Sequence, residues 1–132
     1  LLSSLHRIEL PATEQIERHI QQPGLHQLAM ESKWLAAVPL PLVTGMDICP
    51  KTGDIWACNY LHAIRFAKLP EKSVAVQIQQ SPEMISLPQL KQVEAIAIDQ
   101  QGRAWVTSEG SPTPLRRVVR QKPRPQRIDT TP

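Results

Sequence analysis

Apolar and polar residues alternate along several short runs of this chain, and two of the runs are matched. The stretch "TGMDICPKTGDIWACNY" (44–60) holds an alternating run, a glycine-bearing turn and a second run centred on Trp56. The stretch "EAIAIDQQGRAWVTSE" (94–109) does the same around Trp105, once one extra residue is allowed in the first turn. Ile48 then falls on Ile98, Gly53 on Gly102, Trp56 on Trp105 and Tyr60 on Glu109. Period-2 runs joined by a short turn containing glycine predict β-hairpins.

A third short strand follows each hairpin, "HAIRFA" (62–67) and "PLRRVV" (114–119), with an arginine ahead of its last apolar residue. A further copy, "SLHRIEL" (4–10), opens the chain, and Arg7, Arg65 and Arg117 are spaced 58 and 52 residues apart. Fourth strands are expected at "VAVQIQ" (74–79) or "EMISLP" (83–88), and near "EQIERHI" (14–20). The segment 24–38 reads as strand or helix. Its alanines, Met30 and Glu31 favour helix by propensity, and Pro39 and Pro41 end it.

Repeats of about 40 to 50 residues, each a meander of four antiparallel strands, describe β-propeller blades. The expected fold is all-β: a β-propeller-like repeat over 1–120 that starts at a third strand and forms an incomplete ring of about two blades. Closed propellers typically use four to eight blades. The remaining blades are expected from a longer chain, of which this is a piece, or from an oligomer. The 13 prolines, about twice the average frequency, agree with short elements and exclude a long helical bundle.

Charge is unevenly placed. Residues 116–127, "RRVVRQKPRPQR", hold six of the 15 basic residues and no acidic one, leaving nine basic against 12 acidic elsewhere. Residues 121–132 read as a disordered, basic, proline-rich tail, so nucleic acid is not the expected partner. No run reaches the roughly 18 apolar residues of a membrane span. In a hairpin pivoting at "PKTGD", Cys49 faces the region of Asp54 and Cys58 that of Met46, too far apart for a disulfide. Two free, buried thiols follow.

The stretch "VTGMDICPKTGDIWACNYLHAIRF" is similar to the inner-hairpin signature of bacterial secreted β-propeller proteins, in which a Thr-Gly-x-Asp-Ile strand precedes the turn. "EAIAIDQQGRAWVTSEGSPTPLRRV" resembles the next blade, and the Glu-Gly/Ala-Ile-Ala strand of phytase-like esterase and gluconolactonase-like propellers. The resemblance covers 43–119 well and 4–42 weakly. It departs in the turns, where "PKTGD" and "DQQG" replace the usual Asp-Gly. It implies a secreted or periplasmic setting, and a scaffold or ligand-binding surface. The alternative it implies is part of a calcium-dependent hydrolase, with calcium held by Glu94, Asp47 and Asn59. Calcium takes 6–8 oxygen ligands, which two blades cannot supply alone.

Candidate ligand-binding residues lie at the strand ends: Glu94 and Glu109 at the open end of one hairpin, Tyr60 and His62 at the equivalent corner of the other. Two adjacent carboxylates suit general acid–base work only if their pKa values are separated, and an ordinary strand-end pair is the simpler expectation. Trp56 and Trp105 read as packing between stacked sheets. His6, His19 and His26 show no metal-ligand spacing. No nucleophile elbow, phosphate loop, His-Glu-x-x-His or dinucleotide fingerprint is present.

Overall fold

A computed structural model of the chain describes residues 2–21 and 30–119. Among these, β1 (Ser3–Ile8), α1 (Thr13–Gln21), β2 (Ser32–Val38), β3 (Gly45–Ile48), β4 (Ile55–Cys58) and β5 (His62–Phe66) come first. Then follow α2 (Val74–Gln77), β6 (Glu83–Ser86), β7 (Val93–Ile98), β8 (Ala104–Ser108) and β9 (Leu115–Arg117). The chain is mostly antiparallel β. Strands pair only with their neighbours in sequence, giving sheets β1-β2, β3-β4-β5-β6 and β7-β8-β9. The described residues form no closed ring.

The two hairpins form where the alternation puts them. Ile48 pairs with Ile55 and Asp47 with Trp56, while Ile98 pairs with Ala104 and Ala97 with Trp105. Each turn closes in the same way. Cys49 N–H donates to Asp54 O and Gly53 N–H to Cys49 O, both at 2.8 Å; Asp99 N–H donates to Arg103 O at 3.0 Å and Gly102 N–H to Asp99 O at 2.8 Å. Gly53 and Gly102 stand at φ 74° and 78°, in the left-handed region that only glycine enters without cost.

The three sheets are stacked face to face, with the four-stranded sheet in the middle. Strand side chains point alternately to opposite faces. Ile55 and Ala57 of β4, with Ile64, Phe66 and Ile78, therefore pack against Ala36, Val38 and Leu40 of the first sheet and the loop that follows it. Trp56 and Cys58, with Ala63 and Ile85, pack against Val93, Ile96, Ile98, Ala104, Val106 and Val118 of the third. Covered on both sides, β4 is buried at every position. Burial of each large side chain contributes about 1.5–3 kcal/mol, so these layers hold the stack together.

β3 and β7 lie side by side without sharing a backbone ladder. At one end Thr44 Oγ1 donates to Val93 O at 2.7 Å. At the other, Ile98 N–H donates to Asp47 Oδ2 at 2.7 Å. Between them Gly45 lets the backbones meet, since a Cβ there would stand 2.9 Å from Ile96 N. Thr44, Gly45 and Asp47 of the "TGMDI" run thus each join two sheets.

Several expected elements differ. The fourth strand beside β5 is β6, through the pairing Arg65↔Glu83 to His62↔Ser86. The alternating "VAVQIQ" opens instead as α2. Ser73 caps it through Val76 N–H, and the buried Gln77 amide donates to Gly53 O and Phe66 O, both at 3.1 Å. The segment 14–20 is helical, not a strand: Glu14, Gln15, Glu17 and Arg18 are good helix formers, and no sheet edge recruits them. The partner of β1 is β2, within the segment whose propensity favoured helix. Ala36 and Val38 are needed on one face beneath the middle sheet, and tertiary packing overrides propensity there. The tail 121–132, His26 and residues 24–29 lie outside the described residues.

Candidate functional site

The turns of the two hairpins abut at one rim of the stack. Cys49 Sγ lies 3.6 Å from the position a Cβ on Gly102 would take. Between the second and third sheets this rim opens into a groove of about 450 Å³, whose lining includes Cys49, Lys51, Thr52, Asp54, Trp56, Arg65, Gln101, Arg103 and Arg117. That volume falls within the range of small-molecule sites. The hairpin register sets the position of each group: the turn carries Lys51 and Thr52, and β4, β5 and β9 bring Trp56, Arg65 and Arg117 beside it.

The groove is cationic. Arg65 is fixed by Asp54 at 2.7 Å and Glu83 at 2.8 Å. Arg103 is held by Asp99 at 2.6 Å and lies over the Trp105 ring, 5.7 Å from its centroid. Lys51 and Arg117 are exposed and form no ion pair among the described residues. Asp54 is already neutralised. Its burial raises the carboxyl pKa, but Lys68 N–H, the Thr52 side chain and Arg65 outweigh that and hold it below the ordinary value.

Cys49 and Asp99 occupy equivalent places, each directly after Ile48 or Ile98 and each closing its turn. Asp99 is surrounded by donors. Its Oδ2 accepts from Trp105 Nε1 at 2.9 Å and Arg103 Nε at 2.6 Å, and its Oδ1 from Gln101 N–H at 3.0 Å and Arg103 N–H at 2.9 Å. Desolvation opposes its charge, but those donors, led by the indole, hold the carboxyl well below the usual carboxylate range. In the second sheet a thiol sits there instead. Burial raises the Cys49 pKa, yet hydrogen bonds from the Thr52 hydroxyl and the backbone N–H groups of Thr52 and Lys51 bring it below 9.0. No described residue accepts the indole N–H of Trp56, which is only 5% exposed.

Of the residues singled out from the sequence, Glu94, Glu109, Tyr60, His62 and Asn59 sit at the opposite rim, whereas Asp47 lies toward the turns. Glu94 and Glu109 do share the open end of their hairpin: Glu109 N–H donates to Gln92 O at 3.0 Å, and Glu94 lies in a bulge between Val93 and Ala95. Both are exposed. Tyr60 and His62 flank a corner organised by Asn59, whose Oδ1 accepts Leu61 N–H at 3.0 Å and His62 N–H at 2.8 Å. Asp47 directs Oδ1 to Ile48 N–H at 2.8 Å and Oδ2 to Ile98 N–H at 2.7 Å. Asp47 and Asn59 thus each direct side-chain oxygens to backbone N–H groups. Among the described residues no group of three His, Cys, Asp or Glu side chains is placed to hold a metal ion. Cys49 and Cys58 are free and buried, as their spacing requires.

The cationic groove was not among the expected sites. Its signal was present in the paired hairpins, where Cys49 aligns with Asp99 and Asp54 with Arg103, and in the arginine recurring in each third strand. A second, more apolar groove of about 630 Å³ lies between β1 and β3, lined in part by Leu5, Leu35, Met46, Ile48 and Ile55. No helix among the described residues is long and apolar enough to cross a membrane. Comparison with known proteins finds no matching family model, curated protein or solved structure.

Proposed function

We propose that the chain is a segment of a β-propeller-like stack whose role is to bind a small ligand between adjacent sheets. The observation that carries this reading is the groove at the turn rim, formed jointly by the second and third sheets, whose lining includes two cations, Lys51 and Arg117, with no ion pair among the described residues. Meanders stacked face to face, with β3 and β7 running alongside each other, support the propeller-like part of it.

The partners that suit this architecture are further sheets of the same kind, from a longer chain or a second copy. The face of the third sheet turned away from the second carries Ala95, Ala97, Trp105, Thr107 and Leu115, with no other sheet packed on it among the described residues. Among the described residues β1 has one unpaired edge, beside the 630 Å³ apolar groove. Both features suit added strands.

A screen of a diverse small-molecule library by amide-correlation NMR on the whole chain tests the binding role. Saturable shifts are expected at residues 51–54 and 101–104, the turns that border the groove. A library that leaves those amides unmoved would remove the proposed role.

A further inference from the structure

We infer that the ligand of this groove is a small carboxylate, seated where the second sheet lacks the carboxylate that the third sheet has. The inference rests on the binding role proposed above and names the chemistry it would take.

The two hairpins provide the comparison. In the third sheet Asp99 gathers an indole N–H, a guanidinium N–H and two backbone N–H groups onto one carboxylate. In the second sheet Cys49 keeps only the local part of that role: its backbone closes the turn with Asp54 O and Gly53 N–H, and its side chain brings no carboxylate. The indole N–H of Trp56 has no acceptor among the described residues, although the side chain is buried. A buried donor without an acceptor is costly and marks a place where an oxygen belongs.

Charge decides what kind of oxygen. Trp56 lines the groove together with Lys51 and Arg117, which form no ion pair among the described residues, while Asp54 in the same lining is taken up by Arg65. Water would satisfy the indole but leave both cations unpaired. A carboxylate has acceptor sites for all three, one oxygen taking the indole N–H and the other shared by the two cations, much as the Asp99 carboxylate serves several donors next door. Arginine favours planar, bidentate acceptors, and the planar acceptor already used at this position is a carboxylate.

The test is an NMR titration of the whole chain with sodium citrate, with sodium phosphate and sodium chloride at matched ionic strength alongside. The three tryptophans give three indole signals. Citrate is expected to move the Trp56 indole and the turn amides saturably, and to leave the Trp105 indole, already bonded to Asp99, in place. Lys51→Gln and Arg117→Gln change exposed side chains and leave the fold intact. Each is expected to weaken citrate binding about tenfold, the scale of a lost charge-assisted hydrogen bond. Cys49→Asp supplies the carboxylate internally; it should displace the Trp56 indole signal without citrate and abolish citrate binding. Phosphate binding as tight as citrate overturns the carboxylate assignment, as does a Cys49→Asp chain that still binds citrate. If neutral library members shift the groove amides and citrate does not, the carboxylate inference fails while the binding role stands. If neither shifts them, both fail.

Discussion

The carboxylate of Asp47, at the end of β3, accepts the backbone N–H of Ile98, at the end of β7, at 2.7 Å. One side chain thereby joins two sheets that share no backbone ladder. Ile98 is buried, so its N–H has no route to water once that acceptor is gone. Asp47→Ala is expected to destabilise the fold by about 1–3 kcal/mol, the cost of a buried donor left unmet. Urea unfolding measures it. A loss within about 0.5 kcal/mol, the range of ordinary surface substitutions, would show that the bridge contributes nothing.

Gly45 sits at the closest approach of the same two strands. A Cβ there would meet Ile96 N at 2.9 Å and Ala95 Cα at 3.1 Å, both backbone atoms that no rotamer change can move aside. Gly45→Ala is expected to cost roughly 1–3 kcal/mol, as overpacking does, and Gly45→Val more. The same substitution at Gly110, where nothing lies within 4 Å of an added Cβ, meets no such contact and separates crowding from the φ of 118° there.

The two thiols are set in opposite directions. Burial, only partly offset by the Thr44 hydroxyl, raises the Cys58 pKa above 9.0, while the turn hydrogen bonds lower that of Cys49. Cys49 also lines the groove, whereas Cys58 is 0% exposed. Iodoacetamide near neutral pH is therefore expected to alkylate Cys49 first, leaving Cys58 until the chain unfolds. Peptide mapping at partial modification gives the order, and equal labelling of both would contradict it.

Asp54 and Asp99 both have carboxyl pKa values below the ordinary 3.8 in the folded chain. A carboxyl whose folded pKa lies below its unfolded value adds stability above the unfolded pKa and loses it as pH falls through the folded one. Stability is thus expected to be level above about pH 5 and to decline progressively below about pH 4. Asp54→Asn should lower the plateau and flatten the decline, because Arg65 then loses the carboxylate it grips at 2.7 Å. Urea midpoints across that range would show it, and an unchanged acid slope in Asp54→Asn would contradict it.

The hairpins were legible in the sequence because everything they need is local: alternation, a turn, and a glycine at positive φ. β5 and β9 followed for the same reason. The fourth strands were not. "VAVQIQ" alternates as well as any strand, but its helix depends on Gln77 reaching Gly53 O, 24 residues away. β2 required the apolar face of a middle sheet that no local pattern announces. The groove is less legible still, because two separate sheets supply its cations. What can be read is that Cys49 stands in one turn where Asp99 stands in the other. Its meaning emerges only when the indole of Trp56 is found without the acceptor that Trp105 has.

The stacking of the sheets has a polarity. The middle sheet offers Ile55 and Ala57 to one neighbour and Trp56 and Cys58 to the other, and these two surfaces are not interchangeable. Any further sheet added on the free face of the third would join head to tail rather than by a twofold axis. Contacts of that heterologous kind either rotate into a closed ring or propagate as a filament. The angle between successive sheets, fixed here by the short tethers from Thr44 and Asp47, is what would select between a finite assembly and an endless one.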